Sequence, residues 1–328
     1  MTKESSNNYL IILHLIFRPS LTAAQSQNPR RSPATPAVLF NRYSQIRTKS
    51  ERNFVQLIIA SLLKLFRPRL AILNGVAALG GYLLHPAAVH VISLLALFFG
   101  VALLAAGGSA INQVLERDLD RLMVRTSRRP LPQGDLTPLS GTVLGSFAIM
   151  GGLMLLAAFG GLLPPLLGAA ALCWYLAVYT PLKRRTSLAL ALGAVCGAVP
   201  PLIGWCLAGG SPADYRAMLL SGLLFLWQIP HFWLFQRRHA ADYRSAGIPL
   251  FCSPVREAGL FWLWMLALIA AAMLLPAFGI IGRHAAFWYA VFPLPLAVIS
   301  LARSERFLFS YLNLFPLLVT VTLSLGHY

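Results

Sequence analysis

The chain has 328 residues, of which 57% are apolar and 11% charged, against roughly 45–50% and about 25% in ordinary soluble domains. A soluble globular fold is poorly compatible with that balance. Lys plus Arg number 27 and Asp plus Glu 10, a formal charge of +17, which alone would suit a nucleic-acid binder, but long stretches carry no charge at all and the distribution argues against one.

Residues 1–63 read as a basic extension without a packed fold, rich in Arg and Pro, with Glu4 and Glu51 its only acids. Its apolar patch Tyr9–Phe17 has the length of a signal-peptide core, yet His14 interrupts it and no convincing small-residue cleavage site follows. A cytosolic extension, an organelle transit peptide and an upstream start are the three readings of this segment.

Residues 64–328 read as one membrane domain. Leu70–Gln113 holds 44 residues without a single Asp, Glu, Lys or Arg, room for two spans of ~20 residues and a turn. Apolar runs continue to the C-terminus and give about nine spans, at 69–84, 88–113, 138–160, 162–180, 187–209, 216–235, 257–281, 285–302 and 307–326. The predicted class is therefore an all-α, polytopic integral membrane bundle. Charge supports the count, since Lys and Arg collect in alternate connections on one side of the bilayer. The segment to Arg69 and the loops at 114–137, 183–185, 236–256 and 303–306 together hold 25 of the 27, leaving only Arg216 and Arg283 opposite. This predicts a cytoplasmic or matrix-side N-terminus. Cys173, Cys196, Cys206 and Cys252 lack metal-ligand spacing and read as small apolar residues.

The acids are as uneven as the bases: Glu116, Asp118, Asp120 and Asp135 fall within 20 residues. In AINQVLERDLDRLMVRTSRRPLP (Ala110–Pro132), a continuing helix would line up Asn112, Glu116 and Asp120 at i, i+4 and i+8. Hard oxygen ligands at that spacing suit Mg²⁺, whose remaining sites are filled by water and substrate phosphate. Beside them would run Arg117, Arg121, Arg125 and Arg128, suited to phosphate oxygens. The same residues would also serve as helical ion pairs, Glu116 with Arg121 or Asp120 with Arg125. Two further loops on this side carry Tyr179 and Lys183–Arg185, and then His231, Asp242 and Tyr243 among Trp227, Phe232, Trp233 and Phe235. Topology anchoring and core packing account for these residues as well as ligand binding does.

Three blocks in order, NQVLERDLDRLMVRTSRRPLP, YTPLKRRTSLALALGAVCGAVPPLIGW and WQIPHFWLFQRRHAADYRSAGIPL, resemble the intramembrane prenyltransferases of the UbiA superfamily, and within it the haem-type members. The resemblance runs from about Lys64 to the C-terminus. Quinone-type members have several aspartates in the third block, whereas this chain keeps only Asp242 after His231, so a quinone-type aromatic prenyltransferase is the alternative rather than the leading reading. Glu116 replaces the family's first aspartate and Arg67 stands where many haem-type sequences have Lys.

The resemblance implies transfer of the farnesyl group of farnesyl diphosphate to a vinyl group of haem b, water completing the product, haem O. It implies Mg²⁺ on Asn112, Glu116, Asp120 and Asp242, diphosphate on Arg125, Arg128, Lys183 and Arg184, and His231 and Tyr243 orienting the haem or moving a proton. Partners implied are the two substrates, the lipid bilayer and a downstream haem A synthase, in a bacterial inner membrane or, alternatively, a mitochondrial one. No CxxCH attachment motif is present, so haem is read as substrate. A transporter would place its ionisable residues at mid-membrane, and here they gather at one face.

Overall fold

The computed structural model describes residues 55–86, 88–251, 257–281 and 305–325, with a few single positions between 286 and 298. All regular elements among them are helices, as an apolar chain in lipid requires, because a helix satisfies its own backbone N–H and C=O groups. The first helix among the described residues is α1 (Val55–Phe66), which contains the predicted boundary at 64; residues 1–54 lie outside the described residues. Then follow α2 (Pro68–Leu84), α3 (Val91–Leu115), the short α4 (Arg117–Leu122) and α5 (Pro130–Gln133), and α6 (Pro138–Gly160). The second half holds α7 (Leu163–Leu182), α8 (Ala189–Leu207), α9 (Tyr215–Arg238), the short α10 (Ala240–Ser245), α11 (Glu257–Ala277) and α12 (Glu305–Leu325).

Among the described residues seven helices (α3, α6, α7, α8, α9, α11 and α12) are long and apolar enough to cross a membrane, and α2 is a shorter apolar helix of 17 residues. They coincide with predicted spans to within a few residues. The predicted span 285–302 lies almost wholly outside the described residues, as does Cys252. Cys206 is buried as expected, whereas Cys173 is exposed.

Helices α2 and α8 cross at the centre, α2 also touching α3 and α12, while α8 touches α7 and α9; α6 packs along α3 and α11 along α9. Lipid offers no hydrophobic drive for helices to associate, so close approach through small residues matters. At the central crossing Gly81 lies on the Pro201 carbonyl and Gly204 on that of Ala78, leaving no room for a Cβ at either. A large apolar cluster that includes Trp205, Leu223, Met265, Leu312 and Phe315 fills the space among α8, α9, α11 and α12.

Two departures from ideal helices shape one end of the bundle. Arg67, between α1 and α2, sits in the left-handed region at φ 48°, with Pro68 opening α2. Proline disfavours helical backbone in the residue before it, and a non-glycine held at positive φ is strained. In α7 the turn Trp174–Tyr179 is a wide π-type turn, and the carbonyl of Tyr175 accepts both the N–H and the Oγ1–H of Thr180. Such turns recur at functional sites, where they re-aim side chains.

Candidate active site

Helices α3, α7, α8 and α9 and the start of α2 line a cavity of about 330 Å³. Its lining is mostly apolar and includes Val101, Leu104, Leu172 and Ile203, but its ionic part gathers Arg67, Asn112, Glu116, Asp120, Arg125, Arg129 and Lys183. The acidic motif therefore does line one wall, although the helix that carries it is not continuous as predicted. α3 stops at Leu115, Glu116 adopts φ −110° and ψ 16°, and α4 restarts at Arg117. The hydrogen bonds Glu116 N–H to Asn112 O (2.9 Å) and Asp120 N–H to Glu116 O (2.8 Å) survive the break, so the oxygen ligands stay on one face.

Each of these polar groups is held by a neighbour from another segment. Asn112 Nδ2 donates to Thr180 Oγ1 at 3.1 Å, and the side-chain oxygen Asn112 Oδ1 has no hydrogen bond among the described residues. Lys183 Nζ donates to Glu116 Oε2 at 2.6 Å, while Glu116 Oε1 is enclosed and has no hydrogen bond. Arg129 Nη1 reaches both oxygens of Asp120 at 2.9 and 2.7 Å, and Thr126 Oγ1 donates to the Asp120 carbonyl. Burial pulls the Lys183 ammonium below the ordinary lysine range, against the pull of the Glu116 carboxylate. Burial also lowers the guanidinium pKa of Arg67 and Arg125, with Arg129 adding repulsion to each.

Neither of the predicted pairs, Glu116–Arg121 and Asp120–Arg125, forms. The arginine stripe assumed a helix through residue 128, but α4 ends at Leu122 and the chain turns over residues 123–129. This turn carries Arg125 into the cavity wall, over the Phe235 ring at 5.2 Å, and leaves Arg128 exposed and off the lining. Arg129 takes the interior position instead. Its signal in the sequence is Pro130, which marks the end of a helical stretch ahead of it. Arg67, Thr180 and Gln228 are further residues of the site that sequence reasoning did not single out.

Two more predicted ligands lie elsewhere. Arg184 donates to both oxygens of Asp118, at 2.8 and 3.0 Å, and to the Leu115 carbonyl at 2.9 Å, on the outer surface rather than on the cavity wall. Asp242 is also absent from the wall: its oxygens accept the backbone N–H groups of Val124 and Arg125 at 3.1 and 3.2 Å. It is a clamp on the 123–129 turn, joined by Ser245 Oγ donating to the Leu122 carbonyl at 3.0 Å. Among the described residues no group of three or more His, Cys, Asp or Glu converges on one point.

His231 and Tyr243 do line the cavity, with Phe232, Phe235 and Gln236. His231 is stacked between Trp227 (centroids 5.0 Å) and Phe309 (5.3 Å). Trp227 is fixed by donating to the Leu312 carbonyl at 2.7 Å, while Trp233 is fully buried core. Burial pushes the Tyr243 hydroxyl above the ordinary tyrosine range, so it stays a neutral hydrogen-bond donor.

A helical membrane bundle with an apolar cavity, ending in carboxylates and unpaired guanidiniums, defines a site for an amphiphile with an anionic head. The chain belongs to the UbiA prenyltransferase family, whose pattern matches residues 74–311, and it is a prenyltransferase. It is 62% identical over 266 residues to the protoheme IX farnesyltransferase of Geobacter sulfurreducens, covering 80% of this chain and 98% of that one. The protein of the same name from Aquifex aeolicus is 38% identical over 223 residues, 67% of this chain and 75% of its own length. Among solved structures, the apo form of a UbiA homologue from Aeropyrum pernix K1 superposes with a TM-score of 0.66 at 18% identity, covering 80% of this chain and 99% of that one. A UbiA homologue from Archaeoglobus fulgidus, bound to GPP and Mg²⁺, gives 0.60 at 15%, over 81% and 99% of the two chains.

Proposed function

We propose that the protein transfers the farnesyl group of farnesyl diphosphate to a vinyl group of haem b to give haem O, a substrate for a downstream haem A synthase. The observation that carries the reading is a cavity that joins an ionic end to apolar, aromatic walls. The acceptor is taken from the relatives' name, protoheme IX farnesyltransferase, carried at 62% identity across almost the whole of one of them.

The residues fit Mg²⁺. The enclosed, unpartnered Glu116 Oε1 and the side-chain oxygen Asn112 Oδ1 are hard donors, and Asp120 adds a second carboxylate on the same wall. When bound, the ion would neutralise charge developing on the diphosphate. Arg67 and Arg125, which have no carboxylate partner among the described residues, grip phosphate oxygens directly. Lys183 and Arg129 already neutralise Glu116 and Asp120 and lie in the same wall, adding positive charge where the leaving group ends up. Asp242 positions rather than ligates, since holding the 123–129 turn keeps both Arg125 and Arg129 in place. The apolar helix walls take the isoprenoid tail and keep bulk water from the allylic cation. Positive charge gathered on one side suits a multi-pass protein of a bacterial inner membrane with a cytoplasmic N-terminus, the side on which a water-soluble diphosphate arrives.

The test is a competition. Membranes containing the protein are incubated with farnesyl diphosphate, Mg²⁺, haem b and a 4-hydroxybenzoate-type quinone precursor, and products are separated by chromatography. A more retarded, farnesylated haem is expected. Prenylated quinone precursor with unmodified haem would establish the quinone-type reading in its place.

A further inference from the structure

Gln228 and His231 stand one turn apart on α9, and both line the cavity. The imidazole is held flat between Trp227 and Phe309, with interplanar angles of 22° and 12°, and the Phe232 ring meets it edge-on at 5.7 Å. Its Nδ1 is enclosed without a hydrogen bond, and its Nε2, also without one, is not enclosed. Gln228 Oε1 is enclosed and unpartnered too, pressed onto Gly197, where a Cβ would overlap it. Neither side chain bonds to the carboxylates or cations of the ionic end. The atoms of these two side chains that are left open to the cavity, His231 Nε2 and the Gln228 amide nitrogen, have no hydrogen bond among the described residues either, so both are available to a small polar partner that arrives with the substrates. A water molecule, which needs two to four polar partners in a buried site, fits.

We propose that His231 is the general base for the water that completes the product, and that Gln228 orients this water through its carboxamide. The proposal rests on haem b being the acceptor. Ionisation leaves a farnesyl cation, and the vinyl π pair forms the new C–C bond between farnesyl C1 and the terminal vinyl carbon. The positive charge is then on the vinyl carbon attached to the porphyrin. A lone pair of water forms the C–O bond there, and His231 Nε2 takes one proton from the resulting oxonium. The imidazolium passes that proton to the departing diphosphate, so one water is consumed and no proton is left over. Two aromatic faces on either side of the ring stabilise the imidazolium while it exists. Without a base at that position the same cation loses a proton from the neighbouring carbon instead, and the product is a conjugated alkene one water lighter.

The readout is therefore the ratio of hydroxylated to one-water-lighter farnesyl haem, measured by mass spectrometry in isotopically labelled water, with membrane abundance measured alongside. Wild-type protein is expected to give hydroxylated product carrying the label. His231→Phe preserves the aromatic stack and removes the base; the ratio is expected to fall by about tenfold or more while diphosphate release continues. Gln228→Leu is expected to lower the ratio less. An unchanged ratio in both variants overturns the proposal. So does loss of all farnesylated haem in His231→Phe with an unchanged ratio in Gln228→Leu, which would make His231 a binding residue only. If wild-type protein farnesylates another acceptor and no haem, the acceptor reading fails first, a result distinct from any change in product ratio.

Discussion

Asp118 and Asp120 are two residues apart, and each is held by an arginine through two N–H···O bonds. Asp120 is 1% exposed on the cavity wall, whereas the Asp118 side chain is 64% exposed on the outer surface beside Arg184. One nitrogen of Arg129, nine residues on, serves Asp120 and two nitrogens of Arg184, 66 residues on, serve Asp118, and the pairs differ further in dielectric surroundings and in what else is near. Around Asp120 the polar atoms include ones without a hydrogen bond among the described residues, Glu116 Oε1 and the side-chain oxygen Asn112 Oδ1. Around Asp118 the bonds are complete and water is at hand, so Arg184 holds its carboxyl below the usual carboxylate range without any further partner being required. A carboxylate–arginine pair thus marks a reaction site only where burial leaves it an unfinished task.

Perturbing the interior set should have the largest effect. Chelation of divalent ions in membranes is expected to stop haem farnesylation and readdition of Mg²⁺ to restore it; activity that persists through exhaustive chelation would remove the metal from the account. Glu116→Gln keeps the side-chain shape and deletes its charge, and turnover should fall by about 100-fold or more. Because this strands the half-buried Lys183 beside a neutral partner, membrane abundance must be followed, and Glu116→Gln with Lys183→Met should recover abundance but not turnover.

Asp242 lies between the two extremes, half-buried and acting through the turn that bears Arg125 and Arg129. Asp242→Asn keeps one acceptor and loses the charge, so the expected loss is about tenfold, the scale of a charge-assisted hydrogen bond of about 1.5 kcal/mol. The loss should fall on the KM for farnesyl diphosphate more than on kcat; a loss as large as that of Glu116→Gln would show Asp242 touching the reacting groups. Arg184→Ala should change turnover by no more than about fivefold, since exposed pairs are worth about 0–1 kcal/mol. A larger drop would put Arg184 in the diphosphate site after all.

The spans were legible in the sequence because hydropathy and the distribution of Lys and Arg report directly on lipid, and the predicted runs at 138–160 and 307–326 coincide closely with α6 and α12. The oxygen ligands of the first block were legible because Asn112, Glu116 and Asp120 keep helical spacing across the break at Glu116. The cations were not, since residues 123–129 form a turn, and one residue of phase separates the exposed Arg128 from the interior Arg129. Arg67 depended on a left-handed backbone that no periodicity reveals. Gln228 and Thr180 depended on contacts with residues 31 and 68 positions away, Gly197 and Asn112.

The two aspartates are separated most directly by one paired measurement, haem farnesylation per unit of membrane-inserted protein by Asp118→Asn and Asp120→Asn side by side. The account predicts that Asp118→Asn stays within about fivefold of wild type while Asp120→Asn loses about 100-fold or more. Equal retention, or equal loss, by the two variants would contradict it.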